Sequence, residues 1–170
     1  MTTPIRWGLM ATGGIARAFA HDLRLLPDAE LVAVGSRTPE GAKAFATEFD
    51  VPRAHGTYAE LAADPEVDAV YVSPPHPGHA AATIAALEQG KAVLCEKPFT
   101  LDLATSTELV SLARDRGLLS AELSVPAFAG FNLVLILSGV RTAAGFAVGG
   151  VADRCRQLRQ RGHAIWQEMR

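Results

Sequence analysis

The chain has 170 residues, 49% hydrophobic and 20% charged, a globular balance that excludes wholesale disorder and suffices for one domain with a real core. Sixteen Lys and Arg against eighteen Asp and Glu leave a net charge of −2, which offers no electrostatic footing for a nucleic acid. The two cysteines, Cys95 and Cys155, are too few for a disulfide framework or a four-thiolate metal site, and no signal-peptide pattern opens the chain, so a reducing cytoplasm is the expected compartment.

Apolar runs of strand length alternate with segments of helical period. Ile5–Met10 reads as a strand that ends in a glycine turn, and Ile15–Leu26 as a helix with Ile15, Ala18, Phe19 and Leu23 on one face. Leu31–Val34 is a second strand. Thr38 as cap and Pro39 at the first helical position open a helix over Pro39–Phe49. Thr57–Ala63 gives one or two further helical turns, and Ala69–Val72 is a β-branched and aromatic strand. A helix over His76–Leu87 closes near Gly90, Ala92–Cys95 is another buried strand, and Leu101–Arg116 is a long helix stopped by Gly117. Such alternation predicts parallel βαβ units with right-handed crossovers, and hence a doubly wound α/β sheet of the Rossmann type. In that architecture ligands bind outside the carboxyl ends of the strands. The segments of interest are therefore 11–16, 35–38, 73–79 and 96–99.

The first of these, Ala11-Thr12-Gly13-Gly14-Ile15-Ala16, matches G-x-G-x-x-G/A at Gly13 and Ala16 and has Ala11 in place of the first glycine. Gly13 would let the backbone approach a pyrophosphate held by the helix N-terminus, and the alternative is a plain tight turn. Strand before and helix after favour the dinucleotide. The second strand ends Gly35-Ser36-Arg37-Thr38, where an NAD enzyme would place an acid for the ribose hydroxyls. Arg37 there suits a 2′-phosphate, with Ser36 and Thr38 as hydrogen-bonding partners, so NADP is expected over NAD; the competing reading is a solvated arginine beside a helix cap.

Ser73-Pro74-Pro75-His76-Pro77-Gly78-His79 forms a rigid turn that could wall a nicotinamide ring. His76 and His79 lack the partners of a metal site, and a surface role at the helix start is the alternative. Cys95-Glu96-Lys97-Pro98 puts a lysine at a strand end, where it could polarise a carbonyl or move a proton, with Glu96 on the ammonium or on a ribose hydroxyl; against this stands a surface Glu–Lys pair of little energy. Cys95 reads as core.

With these motifs together, above all Glu96-Lys97-Pro98, the chain resembles the N-terminal domain of the Gfo/Idh/MocA oxidoreductases over about residues 4–118, nearest to dihydrodiol-dehydrogenase-like members. The resemblance implies a Rossmann domain binding NAD(P) and hydride transfer with a sugar, polyol or diol. It implies that Gly13, Gly14 and Ile15 meet the pyrophosphate and that Ser36 and Arg37 meet the adenosine ribose or its phosphate. Pro75 and His79 would lie by the nicotinamide half, Glu96 would bind cofactor, and Lys97 would stand at the reacting carbon. Two departures bear on affinity: the Ala11 methyl, and Pro74, which removes a backbone N–H.

From Leu123 onward nothing matches the family, whose second domain cannot fit in the remaining residues. The expected organisation is a Rossmann domain over 1–122 and an unassigned tail over 123–170, through truncation, a frameshifted reading or a chimeric gene. The first 118 residues hold ten bases and fifteen acids, and the remainder six arginines and three acids. The uncharged stretch 127–140 falls short of the roughly 20 residues a membrane helix needs, so a span is not expected. Residues 157–161 with Trp166 suggest an amphipathic terminal helix, and Cys155 an incidental thiol. Three functions stay open: the nucleotide-binding domain of an oxidoreductase, a cofactor-binding remnant without turnover, and a protein whose tail binds a membrane or partner.

Overall fold

In the computed structural model, residues 4–117, 122–123 and 134–136 are described. The apolar runs become β1 (Ile5–Met10), β2 (Ala29–Gly35), β4 (Ala69–Val72) and β5 (Ala92–Cys95), joined by β3 (Arg53–His55). The helices are α1 (Gly14–Leu23), α2 (Pro39–Phe49), α3 (Tyr58–Ala63), α4 (His79–Glu88) and α5 (Leu103–Asp115). Two short strands, β6 (Glu122–Leu123) and β7 (Val134–Ile136), complete a sheet of order β3-β2-β1-β4-β5-β7-β6. The first five strands pair in parallel. β7 runs antiparallel to β5, and β6 antiparallel to β7.

Strand period two sends alternate side chains to opposite faces, and each face has its own core. Trp7, Leu9, Val34, Tyr71 and Leu94 meet Ala16, Ala20 and Leu23 of α1 and Phe45 of α2. Met10, Ala33, Val70, Val72, Val93 and Cys95 meet Leu61 of α3, Ala82, Ala86 and Leu87 of α4, and Ala113 of α5. Ala16 and Ala20 are fully buried, so α1 lies close against the sheet.

The order reverses between β1 and β4, since β2 and β3 lie to one side of β1 and β4 and β5 to the other. The crevice opens at that switch point. Ladder bonds run one residue past each strand: the Ala11 N–H donates to Gly35 O at 3.0 Å, Ser73 N–H to Met10 O at 3.1 Å, and Glu96 N–H to Val72 O at 2.9 Å. These backbone bonds fix the ends of the site strands to one another.

Several boundaries differ from the sequence reading. α1 ends at Leu23; Leu25 and Leu26 donate back three residues, because Pro27 disfavours helix at the residue before it. His76–Gly78 forms a separate 3₁₀ turn, and α4 proper starts at His79. β3 was not expected, being three residues long with no buried side chain. Of residues 118–122 only Glu122, in β6, is among the described residues. The stretch 127–140, apart from β7, the terminal segment from residue 157 and Cys155 all lie outside the described residues. Among the described residues no helix is long and apolar enough to cross a membrane.

Candidate active site

A cleft of about 550 Å³ opens at the carboxyl ends of β1, β2, β4 and β5. Of the expected residues, Gly13, Ile15, Ser36, Arg37, Pro75, His79, Glu96 and Lys97 line it; Gly14 lies in the same turn but not in the lining.

At the β1 end, Ala11 sits at φ +98°, a conformation natural to glycine and costly for a residue with a Cβ. The structure thus places the substitution of the motif's first glycine at the position where glycine is wanted. Gly13 is the N-cap of α1 at φ −75°, an angle open to any residue, and it offers no capping side chain. A Cβ added to Gly13 or Gly14 would meet nothing within 4 Å. Neither glycine is therefore required by packing, and the space above the helix N-terminus is open. The Arg17 guanidinium donates to the Thr12 carbonyl, pairs with Glu48 at 2.9 Å and lies 5.5 Å from the centre of the Phe45 ring, so it ties the glycine turn to α2.

At the β2 end, Ser36 is buried and Arg37 exposed. Thr38 caps α2, its hydroxyl accepting from the Gly41 N–H at 3.2 Å. Tyr58, at the start of α3, also lines the cleft, a contact with no local signal in the sequence. Burial raises its phenol above the ordinary range against the opposing charge of Arg37, which puts ring and guanidinium in one electrostatic neighbourhood. The one acid in the lining, Glu96, belongs to the β5 segment; none comes from the β2 end.

At the β4 end, Ser73 is buried and its hydroxyl donates to Met10 O at 3.1 Å. His79 is 1% exposed, with Nε2 2.8 Å from Pro74 O and Nδ1 2.8 Å from Pro98 O. A neutral imidazole carries one N–H and can donate to only one of the two carbonyls. His79 thus sits as a tie between the β4 and β5 loops, and its ring nitrogens are both turned to backbone. His76 is exposed and meets the His79 ring edge-on at 5.5 Å.

At the β5 end, Glu96 and Lys97 form no ion pair among the described residues. One Glu96 oxygen accepts from the Tyr71 hydroxyl and the other from the Lys97 backbone N–H at 3.2 Å. The Lys97 side chain is exposed at the cleft. Tyr71 was missed as a site neighbour because its sequence context is that of a core strand. Burial, then its bond to Glu96, raise its phenol far above the usual range, so it stays a donor. Burial pushes the Cys95 thiol up to about 12, which removes it as a nucleophile, in keeping with its reading as core.

The donor set suits a dinucleotide: an uncapped helix N-terminus with open space above it, a guanidinium at one end and a carboxylate with an ammonium at the other. Residues 5–122 match the model of the oxidoreductase family with NAD-binding Rossmann fold, Gfo/Idh/MocA. The chain is 46% identical over 120 residues to trans-1,2-dihydrobenzene-1,2-diol dehydrogenase of Bos taurus, covering 69% of this chain and 36% of that protein. The Homo sapiens enzyme of the same name is 44% identical with the same coverage. Among solved structures, a 3-ketoreductase from Actinomadura kijaniata in complex with NADP superposes with a TM-score of 0.65 at 39% identity, covering 69% of this chain and 37% of that one. A biliverdin reductase from Synechocystis with biliverdin and NADP+ gives 0.62 at 33%, with 68% and 36% covered. The chain therefore spans about a third of the length of the relatives it matches. With the match over most of its length, the chain belongs to the Gfo/Idh/MocA oxidoreductases and carries their NAD(P)-binding Rossmann domain.

Proposed function

We propose that the cleft binds NADP in preference to NAD and serves hydride transfer with a diol, sugar or polyol. The observation that carries the preference is Arg37 at the end of β2, in a stretch of cleft wall that contributes no acid. A 2′-phosphate would find there a guanidinium able to pair with two of its oxygens, with the Ser36 hydroxyl at hand, whereas the adenosine ribose of NAD would find no carboxylate at the β2 end. Gly13, Gly14 and Ile15 would face the pyrophosphate with the N–H groups of α1. Pro75 would border the nicotinamide half, with His79 holding the loop that carries it. Glu96 would accept from a ribose hydroxyl, and the Lys97 ammonium would donate to the oxygen on the reacting carbon.

When bound, the nicotinamide supplies the hydride chemistry; the protein's part is to orient the ring and to hold a proton at Lys97 Nζ. The relatives named as a diol dehydrogenase and a 3-ketoreductase support an alcohol or ketone substrate of this class. The reading carries with it a reducing cytoplasm, where Cys95 stays a free thiol.

The test is a fluorescence titration of the chain with NADPH and with NADH. Saturable binding at least about tenfold tighter for NADPH, with the difference lost in Arg37→Ala, is expected. Equal affinities that Arg37→Ala leaves alone would remove the preference. Assays with diols and polyols then separate turnover from binding, and Lys97→Ala should lower turnover while sparing NADPH affinity.

A further inference from the structure

Tyr71 and Leu94 are direct partners in the β4–β5 ladder, so Glu96, two residues beyond Leu94, projects on the same face and within diagonal reach of the Tyr71 ring. That ring has little freedom. Phe19 of α1 stacks on it at 3.9 Å and 7°, and Trp7 of β1 meets Phe19 edge-on at 5.5 Å. Tyr71 is 2% exposed, and its hydroxyl, the polar tip of this aromatic column, ends on Glu96. A carboxylate at the rim of a cleft would ordinarily sample several rotamers. Here one oxygen is held by a phenol from the core and the other by the Lys97 backbone N–H at 3.2 Å, so a single bond pattern orients both residues at the β5 end.

We propose that Tyr71 is a positioning residue for this end of the cleft: its hydroxyl aims the Glu96 carboxylate at the ligand and, through Glu96, sets the backbone from which Lys97 reaches the reacting atoms. This rests on the reading of the cleft as a nicotinamide dinucleotide site.

Tyr71→Phe keeps the stack on Phe19 and removes only the donor. The full chain and this variant are titrated with NADPH and with adenosine 2′,5′-bisphosphate, which carries the adenine half alone. The variant should bind NADPH about fivefold to tenfold more weakly and the bisphosphate unchanged. In a Glu96→Gln background, Tyr71→Phe should cause much less further loss, because the two groups act as one unit. NADPH affinity unchanged in the variant, or equal loss for both ligands, overturns the proposal while leaving the cleft reading in place. A wild-type chain that binds neither ligand overturns the cleft reading and the proposal with it. A second measurement needs no variant: the ¹³Cζ resonance of Tyr71 in the wild-type chain should shift on adding NADPH and stay put with the bisphosphate. The same response to both ligands contradicts the proposal.

Discussion

Ala11, which stands in place of the glycine motif's first glycine, is held at φ +98°, with its N–H bonded to Gly35 O at 3.0 Å. A non-glycine residue there costs on the order of 1–3 kcal/mol, set against about 0.5–1 kcal/mol of backbone entropy that glycine would lose on folding. Ala11→Gly should therefore stabilise the chain by about 1 kcal/mol, visible as a rise in Tm, without weakening cofactor binding. A fall in Tm would mean that the ladder bond tolerates this φ without strain. Tyr71 is the opposite case. Nothing in Ala69-Val70-Tyr71-Val72 separates a core tyrosine from one that reaches a site, because the contact depends on the β4–β5 register, a property of two strands at once. The four strand-end motifs were legible for the converse reason: each is local, and the chemistry it offers needs only a strand before it.

Among the elements, β3 and α3 are tied to each other through one carboxylate. Asp64, at the C-terminus of α3, accepts from Arg53 at 2.8 Å and lies 2.9 Å from His55 Nε2, both residues on β3, while the Glu66 N–H donates to its other oxygen at 2.9 Å. Burial alone would raise the Asp64 carboxyl; the bonds from Glu66, His55 and Arg53 outweigh it and hold the group below the ordinary value of 3.8. A lowered carboxylate contributes stability above its unfolded value, and that stability is lost as pH falls through the folded one. The Tm should therefore fall below about pH 4, and Asp64→Asn should be less stable at pH 7 while losing less between pH 5 and pH 3. Parallel acid profiles for the two proteins would show that Asp64 is not the group responsible. β3 itself was illegible because Arg53-Ala54-His55 presents no buried side chain, and its place comes from pairing with β2. The helix caps were only partly foreseen. Thr38 was expected and is found, while Asp102, which accepts from the Thr105 N–H at 2.8 Å, moves the start of α5 two residues past its expected place.

For the whole molecule, the alternation of strands and helices was enough to predict a parallel doubly wound sheet, and the order β3-β2-β1-β4-β5 follows it. What no local pattern contains is the convergence of four segments, separated by tens of residues, on one cleft; that is a product of the switch point between β1 and β4. The two cores hold that convergence in place. Leu9, the last residue but one of β1, is fully buried, and Leu9→Ala should cost about 2–5 kcal/mol and shift urea unfolding to lower concentration. Because Leu9 faces the α1 core rather than the cleft, NADPH affinity of the folded variant should stay close to that of the wild type. A large loss of affinity in the folded variant would mean that the crevice depends on core packing and not on the backbone ladder alone.

The claim at the centre of this account is that a nicotinamide dinucleotide lies along that crevice, with its adenosine phosphate at Arg37 and its reacting end at Lys97. The most direct measurement is the change in backbone amide resonances of the ¹⁵N-labelled chain on adding NADPH. Saturable shifts are expected at Gly13–Ala16, Ser36–Arg37 and Glu96–Lys97, with the exposed face of α5 from Leu103 to Asp115 unmoved. Shifts confined to other surfaces, or none at saturating NADPH in a folded chain, would contradict it.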